Sequence, residues 1–193
     1  FPSDTLLAQN MMNALFHQVN YDITGASYFF LALFSSTIEN ASKYIQDYIQ
    51  LQPLDMRGSL LYANLLFNNG EWLDALFQYR RTLWVNSDNF DAQVGIGLCL
   101  YHMQKYKDAV DIMKKALKID PYNHSAYFYL GVSLMAGNNY KDAIASLTQS
   151  LLLDPDNSDT YFNLGKSYYE TGKIIQAREA FNRVVMIDSE YGE

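Results

Sequence analysis

Large apolar side chains recur along this chain at three- and four-residue spacings, the mark of helices with one buried face, and short polar or glycine-containing segments interrupt them at regular intervals. The interruptions are Ser35-Ser36, Asn69-Gly70, Gln104, Gly137-Asn138-Asn139 and Thr171-Gly172. Asparagine and glycine in most of them can supply the positive φ of a tight helix reversal. Prolines stand only at Pro2, Pro53, Pro121 and Pro155, so helices can run unbroken between them. Residues 5–19 have the same spacing, with Leu7, Met11, Ala14, Leu15 and Val19 on one face behind a Ser3/Asp4 cap. The pattern predicts an all-α protein made of helix pairs.

Written in rows of 34 residues starting at Asp22, Met56, Phe90, His124 and Ser158, the chain comes into register with itself without insertion or deletion. The twentieth place of the rows reads Ala41, Ala75, Ala109, Ala143 and Ala177. The eighth reads Ala63, Gly97, Gly131 and Gly165 in the last four rows, with Phe29 in the first. Side chains that small let two helices approach closely, so the first row is expected to pack differently. Large apolar residues hold the seventh place (Tyr28, Tyr62, Ile96, Leu130, Leu164) and the twenty-fourth (Ile45, Tyr79, Met113, Leu147, Phe181), the predicted shared core. At the thirty-second, Pro53, Ser87, Pro121, Pro155 and Ser189 mark expected helix ends. A unit of this length is too thin to bury its own apolar face, and stacking on its neighbours solves that.

The stretches Tyr161-Phe-Asn-Leu-Gly-Lys-Ser-Tyr168 and Tyr127-Phe-Tyr-Leu-Gly-Val-Ser-Leu134, with the turns Ile119-Asp-Pro-Tyr-Asn123 and Leu153-Asp-Pro-Asp-Asn157, resemble the tetratricopeptide repeat (TPR) family. The resemblance is closer over residues 90–191 than over 22–89. It implies a right-handed α-α superhelix, a TPR solenoid of about five helix pairs plus an N-terminal helix. On this reading residues 1–21 are that helix, a half-repeat or a cap, and 22–55 a divergent first repeat. The second to fifth repeats are 56–89, 90–123, 124–157 and 158–191.

In this family the first helices of successive pairs line a concave surface, so the resemblance implies which side chains face a ligand. They are Phe30 in the first row and Leu61, Asn64 and Phe67 in the second. The third row contributes Val94, Leu98 and Tyr101; the fourth Phe128, Tyr129, Val132 and Met135; the fifth Phe162, Asn163, Lys166 and Tyr169. A subset of the family grips the C-terminal carboxylate of chaperone peptides with a lysine, asparagine and arginine cluster. Here only Asn64, Asn163 and Lys166 have suitable chemistry, and apolar residues such as Val94, Leu98, Phe128 and Val132 stand between them. The track suits an apolar or amphipathic helical segment of a protein or peptide. The same stripe can instead be core, packed on neighbouring repeats or filled by another part of the protein.

Charge narrows the partner further. With 14 Lys and Arg against 21 Asp and Glu, a formal net charge of -7, the chain repels phosphate backbones and anionic lipid, so nucleic acid is not expected. The longest apolar run, from Tyr28 to Phe34, is far shorter than the roughly 20 residues a bilayer needs, so direct membrane insertion is not expected either. Cys99 is the single cysteine, which removes an intrachain disulfide and the thiolate zinc sets, and no cofactor is implied. Cys99 and His102 could share one helix face, but no orienting acid or oxyanion donor accompanies them.

The expected role is therefore a non-enzymatic protein–protein interaction scaffold or adaptor. Two alternatives stand beside it: a self-association module forming a homodimer through terminal repeats, or the TPR portion of a larger multidomain protein or enzyme. The last row ends at Tyr191 with no polar capping helix behind it, and the first residue is Phe1 rather than Met. The first suggests a chain that continues, or a last repeat covered by a partner or a second copy; the second suggests a processed fragment. Nothing in the sequence assigns a compartment.

Overall fold

The computed structural model describes residues 25–190, and the helix expected over 5–19 lies outside them. Among the described residues every regular element is an α-helix. In chain order these are α1 (Gly25–Leu33), α2 (Ile38–Leu51), α3 (Met56–Asn68), α4 (Trp72–Val85) and α5 (Phe90–His102). They continue as α6 (Tyr106–Ile119), α7 (His124–Ala136), α8 (Tyr140–Leu153), α9 (Ser158–Glu170) and α10 (Ile174–Glu190). None is long and apolar enough to cross a membrane.

The chain divides into two compact units, Phe1–Ala92 and Gln93–Glu193. In the first, α1 packs on α2, α2 on α3 and α3 on α4. In the second, α6 packs on α7, α7 on α8, α8 on α9 and α9 on α10.

The helix starts at Met56, Phe90, His124 and Ser158 share one device. The residue before each is Asp55, Asn89, Asn123 or Asn157, whose side-chain oxygen accepts a hydrogen bond from the backbone N–H of Arg57, Ala92, Ala126 or Thr160 at 2.8–3.0 Å. One otherwise orphaned donor of each first turn is thereby satisfied. Asp120 and Asp154, at the C-terminal ends of α6 and α8, accept from the side-chain amides of Asn123 and Asn157 at 3.3 and 3.2 Å, steadying the caps.

The reversals inside the pairs also repeat. Gly70, Gln104, Asn138 and Gly172 have φ of 81°, 60°, 60° and 76°. Glycine enters this left-handed region freely and asparagine tolerates it, whereas Gln104 is held there against its preference.

Close packing explains the small residues. Ala75, Ala109 and Ala143 are fully buried. A Cβ built at Gly131 would lie 2.6 Å from Leu147 Cγ and 3.4 Å from the Leu147 backbone nitrogen, so the absence of a side chain on α7 is what admits the α8 leucine. The same pairing recurs between Gly97 and Met113 and between Gly165 and Phe181. The core of the second unit gathers Val110, Met113, Leu130, Leu134 and Ala143.

The first unit departs from this scheme at its first pair. Its core holds Ala32, Ile45, Tyr48 and Ile49, with Phe29 packed on it and its ring 5.3 Å from that of Tyr48. Tyr48 fills the space facing Gly58, where a Cβ would come within 2.5 Å of Tyr48 Cδ1. In later rows these two places, the twenty-seventh and the third of the next row, carry Thr82 and Ala92, Ala116 and Ala126, then Ser150 and Thr160, all buried.

One expected boundary is corrected. Ser189 does not follow a helix end: α10 runs on to Glu190, with the Ser189 hydroxyl donating to the Met186 carbonyl at 2.8 Å. At the matching place Pro53, Pro121 and Pro155 lack the N–H a helix needs, whereas serine keeps it and can stay helical.

Candidate functional site

The side chains expected on the first-helix faces occupy two kinds of environment. In the first unit Phe30 on α1 is exposed, its ring 6.3 Å from Phe29. Leu61 on α3 packs half-buried against the core, and Phe67 is half-buried. Asn64 is exposed, and its side-chain oxygen accepts from the Tyr79 hydroxyl at 2.7 Å.

In the second unit the α5 and α7 residues sit lower. Val94, Leu98, Tyr129 and Met135 are half-buried against the Val110–Leu134 core. Tyr101 is half-buried, with its ring 5.7 Å from that of Tyr106. Phe128 and Val132 are half-buried, and the Phe128 ring stands edge-on to Tyr129 at 5.2 Å.

On α9 the environment changes. Phe162 keeps 47% of its surface exposed and Tyr169 63%, and Lys166 between them is exposed. Spaced four and three residues apart, they lie along one helix face. The Phe162 ring is steadied by Phe181 of α10 at 5.9 Å, and the Lys166 ammonium lies 5.7 Å from its centroid. Asn163 turns aside, its amide donating to the Asp159 carbonyl at 2.8 Å. The result is an apolar strip with one cation at its middle.

A second polar feature, missed by the sequence reading, stands at the α2–α3 junction. Asp55 accepts from the Tyr48 hydroxyl at 2.5 Å and from Arg57 Nη2 at 2.5 Å, and Arg57 Cζ lies 5.8 Å from the Phe29 ring centroid. The hydrogen bonds from Arg57 hold the Asp55 carboxyl well below the usual carboxylate range, while burial and the hydrogen bond to Asp55 push the Tyr48 hydroxyl up. Recurrence of an Asx residue at the last place of the first four rows, Asp55, Asn89, Asn123 and Asn157, was the available signal.

Nucleophile chemistry at Cys99 meets an obstacle. The thiol is fully buried, and burial pushes it up to about 12, so it stays protonated at neutral pH; His102 is exposed. Among the described residues, no group of three His, Cys, Asp or Glu could hold a metal ion.

Comparison with known proteins follows the same repeat. Family models described as tetratricopeptide or TPR repeats match residues 100–147, 133–172 and 158–191. The model for subunit 3 of the anaphase-promoting complex (cyclosome) matches residues 35–116. Among curated proteins, none matches the chain. Solved structures similar to it include MamA (41-end) from Desulfovibrio magneticus RS-1, 19% identical, covering 88% of this chain and 97% of that one with a TM-score of 0.82. Another is YrrB, described as a TPR protein with an unusual peptide-binding site, 17% identical, covering 93% of each chain with a TM-score of 0.74. At these identities the likeness is one of fold.

Proposed function

This chain belongs to the tetratricopeptide repeat family, and from that premise we propose that it is a non-enzymatic scaffold which holds a peptide segment of another protein on the first-helix face of its last repeat. The observation that carries the reading is the strip Phe162–Lys166–Tyr169, where two aromatic groups stay exposed while the same register places on α5 and α7 are half-buried. Large exposed aromatic groups flanking a cation suit a segment with apolar side chains and one acidic group, helical or extended. Support comes from YrrB, of similar fold and described as having an unusual peptide-binding site, and from the match of residues 35–116 to the model of a subunit of a multiprotein complex.

Selection of helical and extended peptides from a displayed library against the 193-residue chain tests it. Binders should lose roughly tenfold or more in affinity in a Phe162→Ala/Tyr169→Ala variant that keeps its helical circular dichroism. Lys166→Glu should weaken those that carry an acidic residue. Binders indifferent to all three changes would move the site elsewhere.

A further inference from the structure

The outer face of α4 has no place in that reading. Leu73, Phe77 and Trp84 line one side of this helix, 66%, 65% and 77% exposed. The repeat register supplies an internal control. The same three places hold Glu39, Lys43 and Gln50 on α2, and Lys107, Asp111 and Lys118 on α6, all exposed as a solvated face should be. On α8 they are Lys141, Ala145 and Leu152, and on α10 Ile175, Glu179 and Met186. Only α4 carries a large apolar group at all three places, and clustered exposed groups of this size mark an interaction surface.

The charges on α4 choose the occupant. Asp74 lies in its first turn, and Arg80 and Arg81 in its second half, between Phe77 and Trp84. We propose that this face pairs with the same face of a second copy of the chain, antiparallel about a twofold axis that passes between the two α4 helices at the level of Gln78 and Tyr79. Leu73 then packs on the partner's Trp84, and Phe77 lies level with the partner's Arg80, whose guanidinium covers the ring. Asp74 and Arg81 share one flank of the helix, so in an antiparallel pair Asp74 comes within reach of the partner's Arg81. Each of these contacts occurs twice, as an isologous interface requires. A parallel pairing would set like charge against like. One helix pair covers less than the roughly 800 Å² per partner of a standard interface, so the dimer forms and dissociates across the micromolar range.

Sedimentation equilibrium of the 193-residue chain over that range, with three variants, tests the interface. Trp84→Glu should leave a folded monomer. Arg81→Glu and Asp74→Arg should each weaken self-association by roughly tenfold or more, because each sets two like-charged pairs against one another. Mixing those two variants should restore a dimer containing one of each, since both cross-pairs are then complementary. A chain monomeric throughout, a dimer untouched by Trp84→Glu, or charge variants that fail to rescue one another would each overturn the proposal. None of these results bears on peptide binding at α9.

Discussion

Two glycine-to-alanine changes that look alike in the sequence should part company in stability. At Gly97 the added Cβ meets the Met113 methyl at 2.6 Å, with the sulfur and Cγ at 3.2 and 3.3 Å. That methyl ends a flexible side chain with three rotatable bonds, which can swing aside. At Gly131 the Cβ meets the Leu147 branch carbon at 2.6 Å, one of its methyl carbons at 2.8 Å and the Leu147 backbone nitrogen at 3.4 Å. The branch carbon and the backbone nitrogen are not free ends that can swing away, so relief requires α7 and α8 to separate. Both substitutions gain about 1 kcal/mol of helix propensity, whereas overpacking costs about 1–3 kcal/mol where the neighbours cannot yield. Gly97→Ala should be close to neutral and Gly131→Ala destabilising, with a gap of about 2 kcal/mol. For a chain of this size that is roughly 4–8 °C in the thermal midpoint. Parallel thermal and urea unfolding followed by circular dichroism measures the gap. Leu147→Ala in the Gly131→Ala background should cost less than it does alone, because the two sites share one space. A Gly131→Ala protein as stable as Gly97→Ala would refute the claim that α7 and α8 are held at contact distance by the missing side chain.

Two further outcomes follow from local geometry. Gln104→Gly should raise the unfolding free energy by about 0.5–1 kcal/mol, the left-handed strain relieved less the added freedom of the unfolded chain, and Asn138→Gly should gain less because asparagine tolerates φ of 60°; equal effects at both sites would count against the strain account. Because the Asp55 carboxyl is lowered from 3.8 in the folded chain, its stabilisation is complete above that value and is lost as pH falls below it. Asp55→Asn, which keeps a capping acceptor, should flatten the loss of stability below about pH 4 in urea titrations, and an unchanged acid limb would remove Asp55 as its source.

The parts of the fold legible in the sequence are those where geometry permits a single solution. The buried alanines and Gly97, Gly131 and Gly165 stand out as columns because nothing larger fits where two helices touch. The contact of Tyr48 with Gly58, at the twenty-seventh place and the third place of the next row, is no less tight, yet neither column is uniform. The large Tyr48 ring is matched by Gly58, whereas the same two places later hold the small buried residues Ser150 and Thr160, so no single column shows the match. At the candidate surface, periodicity assigns a face but not a depth. Tyr101, Tyr129 and Tyr169 follow one spacing rule, and only Tyr169 is mostly exposed, because how far neighbouring side chains rise around a ring is a property of the packed helices. Ser189 shows the reverse limit: a residue that favours turns does not end a helix by itself.

The exchange of volume between Tyr48 and Gly58 also governs which repeats could be spliced out or shuffled. Excising residues 124–157 would leave Ala116 and Thr160, two small buried side chains, at these places, so that junction would close in phase. Excising 56–89 would instead bring Tyr48 against Ala92, whose methyl group would occupy the space the ring fills beside Gly58. The later repeats are interchangeable modules in this sense, whereas the first is keyed to its neighbour, and a transplant of either would have to take both.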